Sequence, residues 1–296
     1  MATSTEDNRV VAPALPTGPT AYSKGYVDRF NNILRLYFNQ LDNALRNAVA
    51  NTVPYGLRVA QGKVTGAASL NKFGFNADVD TTEETVWSQG GNLAYPPSAG
   101  EVYISSSDTN DTAGSGTGVR TIKVQGLDAN YLEIEEDISL NGQTQVITTK
   151  EYLRIYRAYT LTSGSNGASA GTIYVGTTGA TAGVPPTVYA SFGASNQTQM
   201  ATFTVPANKT LYVDDVVFTA AISLANNSAT VKLVTREFGT NSFRTRVIET
   251  VQSNSNSVPF TYPLAIPAKT DIECRALASS NNNQISASFQ GVLIDG

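Results

Sequence analysis

Glu133, Glu135, Glu136 and Asp137 crowd four carboxylates into one short stretch. Paired carboxylates can divide general acid and general base work between them, as in glycoside hydrolysis. The spacing argues for something simpler. Glu133 and Glu135 fall on one face of a β-rich segment whose other face carries Leu132, Ile134 and, past an irregularity, Ile138, the pattern of a solvated sheet face. A second group, Asp108-Thr109-Asn110-Asp111 followed by Gly114-Ser115-Gly116-Thr117-Gly118, carries the oxygen ligands that calcium takes. It lacks the ordered twelve-residue ligand spacing, and it reads as a polar hairpin tip between Ile104 and Val119. The same glycines are followed by no Lys-Ser or Lys-Thr and open no helix, so a phosphate cradle is not expected either. Asp214 and Asp215 interrupt a strand over 211–218 as a bulge or an edge charge. Cys274 alternates with Ile272 and Ala276, the setting of a buried, inert thiol. Trp87, Tyr95, Tyr103, Tyr131 and Tyr152 offer ring faces of the kind that stack on sugars, although with 14 Tyr most belong to core or rim. No cofactor, metal site or catalytic set emerges.

Composition narrows the chemistry further. The 296 residues include no His and a single Cys, which removes Ser-His-Asp and Cys-His catalysis, an intramolecular disulfide and any Cys-built zinc site. A net charge of −4 supplies no basic face for phosphates, so nucleic acid is not an expected partner. Charged residues make up 15% against a usual share of about a quarter, while apolar residues reach 41%. That balance favours a packed core over disorder. Residues 1–8 are polar and acidic, without a basic start and apolar run, and no later stretch approaches the length of a membrane span. The expectation is a protein made in a reducing cytoplasm without signal-peptide export.

Three kinds of element must position these residues. Pro13, Pro16 and Pro19 with Gly18 make residues 1–22 an extended arm, poor in apolar anchors and dependent on another surface for order. Residues 23–53 form the one long helix, with Ser23 as N-cap and Pro54 as stop. Val27, Phe30, Leu34, Tyr37, Leu41, Ala44 and Ala48 recur at alternating steps of three and four, a coiled-coil seam that Ile33, Leu36, Phe38, Leu45 and Val49 widen. So wide a stripe suits a trimeric bundle or a helix lying in a groove, and the seven seam residues are the candidate oligomerisation and docking set. Beyond Pro54 the pattern becomes β-rich, with strands expected over 101–104, 119–127, 132–140, 145–149, 152–159 and 172–175. A loop or linker over 176–186 precedes strands over 199–205, 210–221, 229–238, 243–251, 257–264, 271–278 and 284–295. The fold class is therefore mainly β: an arm and one long α-helix, then one or two antiparallel β-sandwich or jelly-roll domains over 54–186 and 187–296. Strands of both halves could also share a sheet.

The helix Tyr26-Val27-Asp28-Arg29-Phe30-Asn31-Asn32-Ile33-Leu34-Arg35-Leu36-Tyr37-Phe38-Asn39-Gln40-Leu41-Asp42-Asn43, behind its Pro-rich arm, resembles the N-terminal segment of virion structural proteins of tailed phages that infect marine bacteria, T7-like cyanophages and pelagiphages among them. Leu70-Asn71-Lys72-Phe73-Gly74, the run over 119–159, Phe203-Thr204-Val205-Pro206-Ala207-Asn208-Lys209-Thr210 and Asp271-Ile272-Glu273-Cys274-Arg275-Ala276 resemble the same family's vocabulary. The resemblance implies a non-enzymatic virion component that docks by arm and helix while its β domains project outward. It leaves two positions open, a tail adaptor or fibre-associated part, which the absence of a long shaft repeat favours over a whole fibre, and a head decoration. The implied partners are further copies of the chain, a trimer above all, other tail or capsid proteins, and a host surface glycan. Two alternatives stand beside it: a carbohydrate-binding adhesin, and, last, a glycoside hydrolase using the acidic run.

Overall fold

The computed structural model describes residues 13–222 and 227–296, with backbone only over 47–52. The first twelve residues of the expected arm and the side chains of Ala48 and Val49 lie outside the described residues. The chain divides into two compact units, Met1–Thr65 and Gly66–Gly296.

In the first unit the long helix α1 runs Lys24–Thr52. The Ser23 backbone is extended (φ −131°, ψ 117°) and its hydroxyl accepts from the Tyr26 N–H at 3.4 Å, a side-chain cap for an otherwise orphan donor. The helix stops at Val53, which is held extended ahead of Pro54. A short helix α2, Tyr55–Ala60, follows and buries Val59; its single turn and a half carries no periodic signal. Arm and helix meet where the Tyr26 hydroxyl donates to the Pro16 carbonyl at 3.0 Å.

The second unit is antiparallel β throughout its named pairings. Its first strands are β1 Ala67–Val79, β2 Glu84–Thr85, β3 Tyr103–Ser106, β4 Val119–Leu127, β5 Glu133–Ser139, β6 Val146–Ile147, β7 Arg154–Ser163, β8 Ile173–Gly176 and β9 Val188–Phe192. Then come β10 Thr202–Thr204, β11 Lys209–Ala221, β12 Ala229–Arg236, β13 Arg244–Val251, β14 Ser255–Ile266, β15 Asp271–Ala278 and β16 Asn283–Asp295. One sheet has the order β1-β16-β11-β14, and a second has β10-β15-β12-β13 with β2 paired on β15. Two smaller sheets run β6-β3-β8-β9 and β5-β4-β7.

Alternating side chains of the first two sheets close one core: Leu211, Val213, Val216 and Phe218 of β11, Leu233 of β12, Ile272 and Cys274 of β15, and Phe289 of β16 are all buried. In β11 the inward phase shifts between Val213 and Val216 because the register skips Asp214; without that extra residue, strict alternation from Val213 would turn the Asp215 carboxylate inward. Gly291 lies against this bulge, where a Cβ would come within 2.1 Å of the Tyr212 carbonyl oxygen. A second core gathers Ile104, Ile122, Val124, Leu140, Tyr152, Ile173 and Phe192.

Strand pairing crosses position 186 in both directions. β1 and β2 pair with β16 and β15, and β9 pairs with β8. Residues 87–200 supply the second core, whereas Val79, Val86 and residues from 201 onward supply the first. Strands from the two sides of 186 thus share sheets. β1 is the largest element the sequence pattern did not announce, because its buried positions include Lys72, Gly74 and Asn76 rather than an apolar alternation.

Candidate functional site

Along α1, Val27, Phe30, Leu34, Tyr37, Leu41 and Ala44 are each half-buried, as is Ile33. None of the described α1 side chains is fully buried, and Leu36, Phe38 and Leu45 keep 60%, 59% and 56% of their surface exposed. Spacing by three and four sets the seam residues on one helix face. The rings of Tyr26 and Phe30 stack at 6.2 Å, one turn apart on this stripe, and Tyr37 lies 5.9 Å from Phe38. The Asp42–Arg46 pair, at 3.0 Å and largely exposed, adds little. What such a surface can do is associate. Each square ångström of apolar surface it loses to a partner contributes about 25 cal/mol.

The acidic run does not assemble an acid–base pair. Glu135 accepts from the Lys123 ammonium at 2.6 Å and the Gln125 amide at 2.9 Å, and Asp137 pairs with Lys123 at 3.3 Å. These cross-strand bonds, the Lys123 one first, hold the Glu135 carboxyl below its ordinary range. Glu136 turns to the other face and accepts the Thr149 and Lys150 backbone N–H groups at 2.9 and 3.0 Å, while Glu133 bonds Lys209 at 3.0 Å.

The Asp108–Asp111 segment is not the hairpin tip its sequence suggested, because the strands it joins, β3 and β4, belong to different sheets. It is a clamped crossover. Asp111 is fully buried; one carboxylate oxygen accepts the N–H groups of Val119 and Ala170 at 2.7 and 2.8 Å, the other the Ser106 hydroxyl at 2.6 Å and the Gly171 N–H at 2.9 Å. Four donors leave a carboxylate little to offer an ion. Gly118 makes room for the clamp, since a Cβ there would meet the Asp111 carboxylate at 2.1 Å. Among the described residues no group of three or more His, Cys, Asp or Glu is placed to hold a metal ion.

Of the five aromatic residues, Tyr95 and Tyr131 line one cavity of about 340 Å³ and share the Arg154 guanidinium, while the others lie elsewhere. Trp87 and Tyr152 are sealed in the second core, Tyr131 packs edge-on against Phe238, and Tyr95 lies against the guanidiniums of Arg154 and Arg236, 4.7 and 4.8 Å from its ring centre. Cys274 is fully buried, which pushes its thiol well up. Asp215 accepts the Ser257 hydroxyl at 2.8 Å at the β11–β14 edge.

Two arrangements have no sequence signal. In the first, buried Asp271 accepts Arg154 through Nε and Nη2 at 2.8 and 3.1 Å, Arg236 through the same two atoms at 3.0 and 2.6 Å, and the Thr204 hydroxyl at 2.7 Å. Burial pushes the Asp271 carboxyl up, but the bond and charge of Arg154, with Thr204 and Arg236, outweigh it and hold the group below its ordinary range. Tyr95 extends the network by donating to Glu273 at 2.7 Å, which Arg275 meets at 2.9 Å. The partners of Asp271 lie on β7, β10 and β12, so the network ties strands of both cores. In the second, Lys72 of β1 is buried at the edge of the first core and faces a cavity of about 340 Å³.

No protein-family model and no curated protein matches the chain. Among solved structures, a crystal structure of the infectious bursal disease virus VP2 subviral particle aligns over 82% of this chain and 79% of its own at 9% identity, with a TM-score of 0.19. A structure of the infectious bursal disease virus Gt strain aligns over 81% and 76% at 12% identity, with a TM-score of 0.17. At such TM-scores neither alignment bears on the function of this chain. Among the described residues no helix is long and apolar enough to cross a membrane.

Proposed function

We propose that the chain is a non-enzymatic structural protein of a tailed-phage virion, docking through its N-terminal arm and α1 and presenting the β unit outward. One observation carries the reading: an apolar stripe through Val27, Phe30, Leu34, Tyr37, Leu41 and Ala44 on a long helix with no fully buried side chain among those described. A stripe of this kind gains stability only by being covered, and copies of the same helix in a trimer or a groove on a neighbouring virion protein would cover it. The resemblance of residues 26–43 to the N-terminal segments of marine-phage virion proteins supports the same assignment. A tail adaptor or fibre-associated position is favoured over capsid decoration, because a trimeric helix bundle at the base of projecting β domains suits an axial attachment. Leu34→Asp combined with Leu41→Asp is expected to abolish incorporation into particles while the β unit keeps its unfolding transition. Normal incorporation of that variant would refute the proposal.

A further inference from the structure

Lys72 retains 8% of its surface, yet among the described residues its ammonium has one hydrogen-bond acceptor, the Tyr156 carbonyl at 2.5 Å. Among the described residues no carboxylate reaches it. An ammonium carries three donors, so two remain to be satisfied in a setting where an unpaired charge is costly. The cavity it faces holds about 340 Å³ and has no acidic residue in its lining, while Arg157 adds a second positive charge near the mouth. Arg157 donates through Nη2 to Gln197 at 3.3 Å and rests on the Tyr159 ring, 4.7 Å from its centre, with no carboxylate paired to it among the described residues. Thr198, also buried, accepts the Ala158 N–H at 3.2 Å, and its own O–H has no acceptor among the described residues. The walls are apolar where Leu70, Tyr156 and Phe203 meet, with the Tyr156 and Phe203 rings 5.1 Å apart.

We infer that this cavity is a binding site for a small carboxylate-bearing ligand about the size of one sugar ring. The carboxylate supplies the missing counter-charge and accepts the free N–H donors of Lys72 with Arg157 behind it, a charge-assisted arrangement. The ring lies against Tyr156 and Phe203, and hydroxyls meet the side-chain amide of Gln197 and the hydroxyl of Thr198. Burial, and next the charge of Arg157, bring the free Lys72 ammonium down to a pKa of about 7. The other groups facing it are the Tyr156 ring, 5.6 Å from the ammonium, and the uncharged Phe203 and Gln125. Glu133 and Glu135 act on Tyr156 from beyond, raising its hydroxyl after burial has done so. Because an anion binds the protonated amine, binding takes up protons, and affinity weakens as pH rises through the free value.

The test is calorimetric titration of the full chain with glucuronate, with glucose as the uncharged ring and acetate as the charge without the ring. Glucuronate is expected to bind at least tenfold more tightly than either, and Lys72→Met, an apolar side chain of similar length, to abolish that preference while the melting transition survives. Equal affinities for the three probes, or an unchanged preference in the Met variant, would overturn the assignment. On the unmodified protein, glucuronate affinity should fall about tenfold between pH 6 and pH 8, with net proton uptake read from two buffers of different ionisation enthalpy. A flat pH profile with no uptake contradicts the role of Lys72, whether or not the variant folds. Neither result depends on α1, so failure here leaves the docking reading standing, and the reverse holds.

Discussion

β11 and α1 are both amphipathic in sequence, and they end in opposite conditions. The inward residues of β11, Leu211, Val213, Val216 and Phe218, are completely buried in the core they share with β12, β15 and β16, and a bulge at Asp214 brings Val216 and Phe218 inward after Val213. The stripe of α1 is as regular, yet none of its described side chains is fully buried and Leu36, Phe38 and Leu45 stay largely in water. An apolar pattern is a demand for cover. In the β unit the chain meets that demand itself, and in α1 the demand is what defines a docking surface.

If that contrast is correct, damage in the two regions separates cleanly. The largest stability effect belongs to the β core: Phe218→Ala should cost about 3–5 kcal/mol in chemical denaturation, and α1 substitutions nothing on the same transition. Next comes Asp271→Asn, which leaves Arg154 and Arg236 facing a neutral group and should cost about 3 kcal/mol at neutral pH. Its pH dependence has a definite sign. A carboxylate held below its ordinary pKa contributes stability that is complete above about pH 4 and is lost as pH falls through the lower folded value. The Asn variant should therefore flatten the acid limb of the stability curve, measured by urea midpoints from pH 2 to pH 6. The smallest effect sharpens the reading of the acidic run. Lys123→Ala with Glu135→Ala removes an exposed cross-strand pair, and the unfolding midpoint should not move measurably.

How legible each region was depends on where its partners lie. α1, β4 and β15 could be bounded from local pattern because cap, stop and alternation are written within each segment: Ser23 and Pro54 for the helix, Ile272, Cys274 and Ala276 for β15. β1 escaped because its buried face carries Lys72, Gly74 and Asn76, residues chosen by neighbours distant in sequence. The same holds for Asp271, whose partner Arg154 is 117 positions away, and for Asp111, which read as part of a polar hairpin tip and proves to fasten Val119, Ala170 and Gly171. Long-range polar complementarity leaves no period in the chain, whereas burial of one face does.

Equilibrium sedimentation of the full chain beside its Leu34→Asp, Leu41→Asp variant tests most directly whether other copies cover the α1 stripe. Covering by like helices predicts a species of about three chains for the unmodified protein, and a monomer with an unaltered β transition for the variant. Identical masses for the two proteins, with the variant still entering particles, would contradict it.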